Sequence, residues 1–413
     1  MNKKLKIKKS KLNGTLKLSG AKNCALKLLT ASILTEDHLV IQNSPNDLLD
    51  MQIHIEMLNQ MGKECIVDND ILSIKEINIK PELIWKKRSI RNSLLILGAL
   101  TTRFGYGMVP LPGGCKLGDR KYDLHVMVLE NFGAKVWEEE GYLFTKADGK
   151  LRGSNIYLPF RSTGATENAI ICGCLAIGKT TIYNPHVRPE IIDLIKMLNS
   201  MGAKIKVFGQ RSIEIIGVSH LKGTKHRCIN DNMEALTWAI ATSVAGGELQ
   251  IMDFPFHDLE VPLIFLRESG MKFVSDNKSL IVKGSQTYPI DISTGPYPGI
   301  NSDMQPLFAI YGANSFGISK IIDLRFPGRY AYASELSKMG VDFEIKDNLL
   351  VINGGNKLTG NRVKALDLRA GAALLIAGLK ADGITEIEDA WQIMRGYENI
   401  EKKLELITDI SFS

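Results

Sequence analysis

The segment Leu111-Pro112-Gly113-Gly114-Cys115-Lys116-Leu117-Gly118-Asp119-Arg120 contains three glycines, a proline and no apolar period. It reads as a surface loop. It sets a thiol near two cations, Lys116 and Arg120, and cations beside a thiol favour its ionised, reactive form. A second unusual run, Ser19-Gly20-Ala21-Lys22-Asn23, stands where a first strand ends and the apolar helix Ala25–Leu34 begins. Lys22 and Asn23 then occupy a helix N-terminus, where dipole and side-chain charge together favour an anion. Four arginines, Arg91, Arg329, Arg369 and Arg395, each lie near the start of an apolar run. With Lys22 and Arg120 they suit a compact, multiply charged anion, because guanidinium forks pair with carboxylate and phosphate.

Other motifs carry less. Gly173-Cys174-Leu175-Ala176-Ile177-Gly178-Lys179-Thr180 fits G-x4-G-K-T. A phosphate-binding loop must follow a strand and open a helix, and here the order is reversed: Ala169–Ala176 reads as helix and Thr180–Tyr183 as strand. Cys172 and Cys174 sit in an apolar run and read as buried small residues. The seven histidines are dispersed, and no G-x-G-x-x-G follows a strand, which argues against a nicotinamide cofactor.

The elements that must position these residues show up as an internal repeat. A helix end of the form Leu-x-x-x-Gly, followed by a strand, recurs at Gly62, Gly133, Gly202, Gly270 and Gly340, at steps of 71, 69, 68 and 70 residues. A degenerate sixth copy, Leu404…Thr408, follows after 68. Strands are expected at 63–67, 134–136, 203–207, 271–274 and 341–345. A second helix-to-strand junction recurs at Gly105, Gly178, Gly246, Gly317 and Gly383. Glycine past a helix end takes the left-handed conformation without a Cβ clash. Six βαβαββ units of about 70 residues are too large for a thin solenoid, so the fold class is α/β (α+β), with two sets of three units. The chain is expected to divide into a lobe over 21–228, carrying the Cys115 loop, and a discontinuous lobe of 1–20 and 229–413. The polar stretch Gly223-Thr224-Lys225-His226 reads as a hinge, and a ligand cleft is expected between the lobes.

Composition bounds the partners. The net charge of +6 over 413 residues is too diffuse to argue for nucleic acid. No apolar run reaches the roughly 18 residues that a membrane helix needs. The basic start lacks the apolar stretch of a secretory signal, and six cysteines without framework spacing read as reduced thiols. A cytoplasmic location is therefore expected, with no nucleic acid or membrane partner and either a monomer or a homodimer.

Taken together, several segments resemble the enolpyruvyl transferases: Ser19-Gly20-Ala21-Lys22-Asn23, Pro112-Gly113-Gly114-Cys115 with Gly118 and Arg120, Asp123-Leu124-His125, Gly164-Ala165-Thr166, Asp303-Met304-Gln305, Asp367-Leu368-Arg369-Ala370 and Arg395-Gly396-Tyr397. They occur in the family's order and cover essentially the whole chain. The cysteine loop points to the branch acting on UDP-N-acetylglucosamine rather than the shikimate branch. The resemblance implies two inside-out α/β barrel-like domains, each of three βαβαββ repeats, with the active site in the interdomain cleft. It implies transfer of the enolpyruvyl group of phosphoenolpyruvate to a sugar hydroxyl, with release of phosphate and no metal or organic cofactor.

Carried over by position, the resemblance places phosphate on Lys22, Arg120 and Arg395, and carboxylate on Arg329 and Arg369. Cys115 is the implied acid at the methylene carbon and the thiol that fosfomycin alkylates. Asp303 is the implied acceptor of the hydroxyl proton, and Asp367 assists the proton transfers. Asn23, Arg91, Asp123, Leu124, Ser162, Thr163, Gly164 and Asp303 line the acceptor side. This chain departs from the family pattern at Lys121, Phe160, Arg188, Asn232, Leu236 and Met394, mostly on the acceptor and hinge side. The implied acceptor is thus a nucleotide-sugar, UDP-N-acetylglucosamine first. Alternatives are another sugar or a nucleotide such as UMP in a nucleoside-antibiotic pathway, or a paralogue that binds nucleotide-sugar without turnover.

Overall fold

A computed structural model describes residues 3–113 and 122–412. Cys115, Arg120 and Lys121 lie outside the described residues. The chain divides into a continuous unit, Gly20–Ile229, and a discontinuous unit, Met1–Ser19 with Asn230–Ser413.

Each unit is built inside out. In the discontinuous unit the helices Asn232–Ala245, Gln305–Asn314 and Leu368–Lys380 pack on one another. Their sequences are apolar on nearly every face, as a helix surrounded by protein requires; Asn232 to Val244 is buried without interruption. Three sheets cover them. The strand Leu5–Lys8 pairs antiparallel with Ile384–Glu388, which pairs with Arg362–Lys364. Leu12–Lys17 lies parallel to Gly247–Met252, in a sheet completed by Ser279–Lys283 and Lys272–Ser275. Asp291–Ser293, Ile318–Ile322, Leu349–Asn353 and Asp342–Lys346 form the third. These strands alternate: Leu5 and Ile7 are buried while Lys6 and Lys8 face solvent, the pattern of a sheet with one wet face.

The continuous unit repeats the plan around the helices Lys22–Ala31, Ser93–Phe104 and Thr163–Leu175, again with three sheets. The repeat glycines Gly62, Gly133, Gly202, Gly270 and Gly340 all have φ between 89° and 104°. Those of the second junction, Gly105, Gly178, Gly246, Gly317 and Gly383, likewise have positive φ. The strands start at Lys63 and Ala134 as the repeat places them, and one residue later than expected at Lys204, Lys272 and Asp342.

One expectation is corrected. The stretch 223–226 is no hinge, because Lys225–Arg227 is a strand paired in parallel with Val40–Gln42. Polarity there reflects an exposed sheet edge rather than a linker. The G-x4-G-K-T match is a helix-to-strand junction, with helix Thr163–Leu175, Gly178 at φ 93° and strand Lys179–Tyr183. Among the described residues no helix is long and apolar enough to cross a membrane.

Candidate active site

In the discontinuous unit the chemistry gathers at the starts of the three central helices. Asp231 Oδ1 accepts the N–H groups of Met233 and Glu234 at 2.8 and 2.9 Å. Asp367 Oδ1 accepts those of Arg369 and Ala370, both at 2.8 Å. These are N-caps, and they satisfy backbone donors that would otherwise be orphaned. At the third helix start Asn301 Oδ1 takes that role, accepting from the backbone N–H groups of Asp303 and Met304. Arg329 joins two of the three starts. Its Nη1 donates to Asp303 Oδ1 at 3.2 Å and its Nη2 to Asp367 Oδ2 at 3.3 Å.

Arg369, only 2% exposed, donates from Nη1 to the Tyr397 hydroxyl at 3.1 Å. That hydroxyl also lies 2.8 Å from Thr237 Oγ1. Burial works against the charge on both arginines. Around Arg329 the carboxylates of Asp303 and Asp367 outweigh it; around Arg369, Tyr397, Asp303 and Asp231 do so. Both guanidiniums are therefore held cationic, above their ordinary range. The Nε atoms of Arg329 and Arg369 are buried and have no hydrogen-bond partner among the described residues. A buried N–H left open costs about 1–3 kcal/mol, more on a charged group. A guanidinium fork with an open N–H can take a planar anion such as carboxylate. Arg395 is also buried. It follows the short helix Trp391–Met394, which packs on Leu368–Lys380, and donates to Gln392 Oε1 at 3.1 Å.

In the continuous unit Lys22 opens the helix Lys22–Ala31. It is buried rather than solvated, with Nζ 3.5 Å from Asp50 Oδ2. Arg91 immediately precedes Asn92, which begins the second central helix. Asn92 Nδ2 donates to Leu26 O at 3.0 Å and Thr30 Oγ1 at 2.7 Å, stitching that helix start to the first helix. Ser162 caps the third, accepting from Ala165 N, and Thr163 Oγ1 lies 2.8 Å from His186 Nδ1. A Cβ on residue 164 would come within 2.8 Å of His125 Nε2, so a larger residue than Gly164 requires the His125 ring to shift. Asp123 and Leu124 open the helix Asp123–Asn131 that carries His125. The candidates Arg91, Asp123, Leu124, Ser162, Thr163 and Gly164 thus all sit on or beside elements that meet around His125. Asp50, Asp231 and Thr237 have no place among the sequence candidates, and Tyr397 enters there only within the Arg395-Gly396-Tyr397 segment. Asp231 and Asp367 had a readable signal, an Asp just before an apolar helical run. Asp50 had none.

Burial also sets the protonation of this unit's interior. Desolvation, aided by nearby cations, holds His54 and His125 down at about 3, and desolvation pushes Glu167 up to about 7 despite Lys27 at 3.7 Å. The histidines contribute stability that is full above about 6.5 and falls as pH drops toward 3. Glu167 has the opposite sign: its contribution is full below about 4.5 and is lost as pH rises through 7. Glu167→Gln is therefore expected to gain melting temperature relative to the unmodified protein as pH rises from 5 to 8. The ceiling is roughly 3 kcal/mol at about 1.4 kcal/mol per unit. A flat difference across that range would show that Glu167 is ionised throughout.

The family model for EPSP synthase (3-phosphoshikimate 1-carboxyvinyltransferase) matches residues 7–404. The chain belongs to the EPSP synthase family. Among curated members of wider similarity, it is 40% identical over 410 residues to UDP-N-acetylglucosamine 1-carboxyvinyltransferase 1 of Caldanaerobacter subterraneus subsp. tengcongensis, covering 98% of each chain. It is 41% identical to UDP-N-acetylglucosamine 1-carboxyvinyltransferase 2 of Clostridium tetani, over 96% of each. In fold it is similar to the enolpyruvyl transferase NikO from Streptomyces tendae, with a TM-score of 0.89, 22% identity and 98% and 97% of the two chains covered. It is also similar to EPSP synthase from Acinetobacter baumannii, with a TM-score of 0.76, 16% identity and 98% of each covered. This family fold explains why the candidates in each unit fall at the starts of buried helices: three pseudo-equivalent βαβαββ repeats bring three helix N-termini together.

Proposed function

We propose that this chain transfers the enolpyruvyl group of phosphoenolpyruvate to the 3-hydroxyl of UDP-N-acetylglucosamine and releases phosphate, a cytoplasmic step in making peptidoglycan precursors. The observation that carries the reaction class is the two guanidiniums of Arg329 and Arg369, each with a buried Nε–H that has no partner among the described residues, Arg329 bridging Asp303 and Asp367. The full-length similarity near 40% to enzymes named for that acceptor supports the acceptor.

In this reading Arg329 and Arg369 hold the carboxylate of phosphoenolpyruvate, and Lys22, Arg120 and Arg395 hold its phosphate. The Cys115 thiol protonates the methylene carbon. The neighbouring carbon then becomes oxocarbenium-like, and the acceptor oxygen bonds to it as Asp303 takes the hydroxyl proton. Loss of phosphate, met by the cations, with loss of a proton from the new methyl group restores the double bond. Asp367, held by its two backbone N–H bonds and by Arg329, keeps the fork in place and assists the proton transfers. Asn23, Arg91, Asp123, Leu124, Ser162, Thr163 and Gly164 line the acceptor.

The test is phosphate release from phosphoenolpyruvate with a panel of UDP-N-acetylglucosamine, other UDP-sugars, UMP and shikimate 3-phosphate. Release with UDP-N-acetylglucosamine at a kcat/KM at least tenfold above the rest is expected. Preference for UMP or another sugar would reassign the acceptor, and no release with any would leave a binding protein. Cys115→Ser is expected to abolish alkylation by fosfomycin as read by intact mass. An undiminished adduct would remove Cys115 from its role.

A further inference from the structure

A cluster that the reaction does not use lies inside the continuous unit. Cys24, Asp193 and Cys228 are at most 2% exposed, and their Sγ, carboxylate oxygen and Sγ atoms all lie within 4.8 Å of one another. They come from three elements. Cys24 is in the first turn of the helix Lys22–Ala31, Asp193 is in the helix Pro189–Ser200, and Cys228 follows the strand Lys225–Arg227. Cys24 Sγ is 2.6 Å from Asp193 Oδ2, and the other carboxylate oxygen, Oδ1, is 2.9 Å from His226 Nε2. His226 and Cys228 are two residues apart along extended chain, so their side chains fall on the same side.

We propose that Cys24, Cys228, Asp193 and His226 form a tetrahedral site for a thiophilic divalent cation of the zinc class. Two sulfurs, an imidazole nitrogen and a carboxylate oxygen are a donor set that such an ion takes readily. Ligand atoms around tetrahedral zinc are about 3.3–3.8 Å apart, so the two sulfurs and the Asp193 oxygen need shifts of about an ångström, whereas His226 Nε2, hydrogen-bonded to the other carboxylate oxygen and outside that grouping, has to turn further to join them. The Cys24–Asp193 contact opens, and the wider ones close. The carboxylate and the histidine favour an ion over a simple disulfide, because a pair of thiols that only oxidises needs neither. Each ion bound displaces the two thiol protons to solvent, with no change in oxidation state. The ion ties the helix that begins at Lys22 to the chain's exit from the unit at Ile229, so it stiffens the support of that lysine rather than entering the reaction.

The experiment uses the whole protein, stripped of metal by chelator under reducing conditions and titrated with Co²⁺ and then Zn²⁺. One equivalent of Co²⁺ per chain is expected to develop a thiolate-to-cobalt charge-transfer band that Zn²⁺ abolishes, with release of two protons per ion. Zn²⁺ should also raise the melting temperature. Cys24→Ala and Cys228→Val should lose the band, Asp193→Asn should weaken binding at least tenfold while keeping the shape of the site, and Cys172→Ala should change nothing. Absence of the band and of stoichiometric metal in the unmodified protein overturns the proposal. So does a Cys24–Cys228 disulfide formed with hydrogen peroxide in a protein that takes up no metal, which would make the pair a redox couple. A band that persists in Asp193→Asn at full affinity removes Asp193 from the ligand set.

Discussion

Arg369→Lys is expected to raise the KM for phosphoenolpyruvate and lower kcat/KM about 10²–10³-fold, while binding of the UDP-sugar alone stays within about threefold. The physical basis is the fork. In the folded protein Arg369 is buried, spends Nη1 on the Tyr397 hydroxyl, and has Nε open. Tyr397, Asp303 and Asp231 keep it charged against the cost of burial. Lysine retains the charge but offers a single point, so the parallel pair of N–H···O bonds to a carboxylate is lost. A charge-assisted hydrogen bond lost at a buried site, with a partner left unsatisfied, costs roughly 3–4 kcal/mol, and each 1.4 kcal/mol is about tenfold. Steady-state kinetics with phosphoenolpyruvate varied, alongside calorimetric titration of the UDP-sugar, separates the two effects. A KM within threefold of the parent would show that Arg369 does not touch the substrate. Loss of UDP-sugar binding as well would mean that the substitution disturbs the unit as a whole.

Asp303→Asn is expected to do the reverse: kcat falls about 10²–10⁴-fold while both KM values move by no more than a few-fold. Removing a positioned proton acceptor typically costs that much in rate. Asparagine keeps an oxygen to accept from Arg329 Nη1, now 3.2 Å from Asp303 Oδ1, so the arginine stays where it is. The turn that presents residue 303 is independent of its side chain, since Asn301 Oδ1 holds the backbone N–H of both Asp303 and Met304. The turn and the Arg329 contact are therefore kept, while the proton acceptor and one of the negative charges facing Arg329 and Arg369 are removed. A kcat within threefold of the parent would assign Asp303 a merely structural part as the partner of Arg329. A rise in the KM for phosphoenolpyruvate comparable with that of Arg369→Lys would give the same answer by another route.

Much of the architecture was legible because it rests on local rules applied six times. Gly62, Gly133, Gly202, Gly270 and Gly340 mark helix ends in the sequence, and all adopt the left-handed conformation that only glycine takes freely. The central helices could be told from surface ones by their apolar residues on every face, as in Asn232–Ala245. What such rules could not show is which polar groups meet. Lys22 reads from the sequence as a cation at a helix start, but nothing local shows that it is buried beside Asp50. The stretch 223–226 reads as a linker and is in part a paired strand, because polarity alone does not distinguish a linker from a sheet edge.

The sequence alone thus determined the repeat, its α/β character and the family, since these follow from short-range periodicity and from motifs in a fixed order. Only the tertiary structure decided that Arg329 links Asp303 to Asp367, that Arg369 is buried against Tyr397 with an open N–H, and that Cys24 lies on Asp193, 169 residues away. The reason is physical. Helix and strand formation depend on neighbours a few residues apart, whereas the electrostatics of a buried charge depend on whatever the fold packs around it.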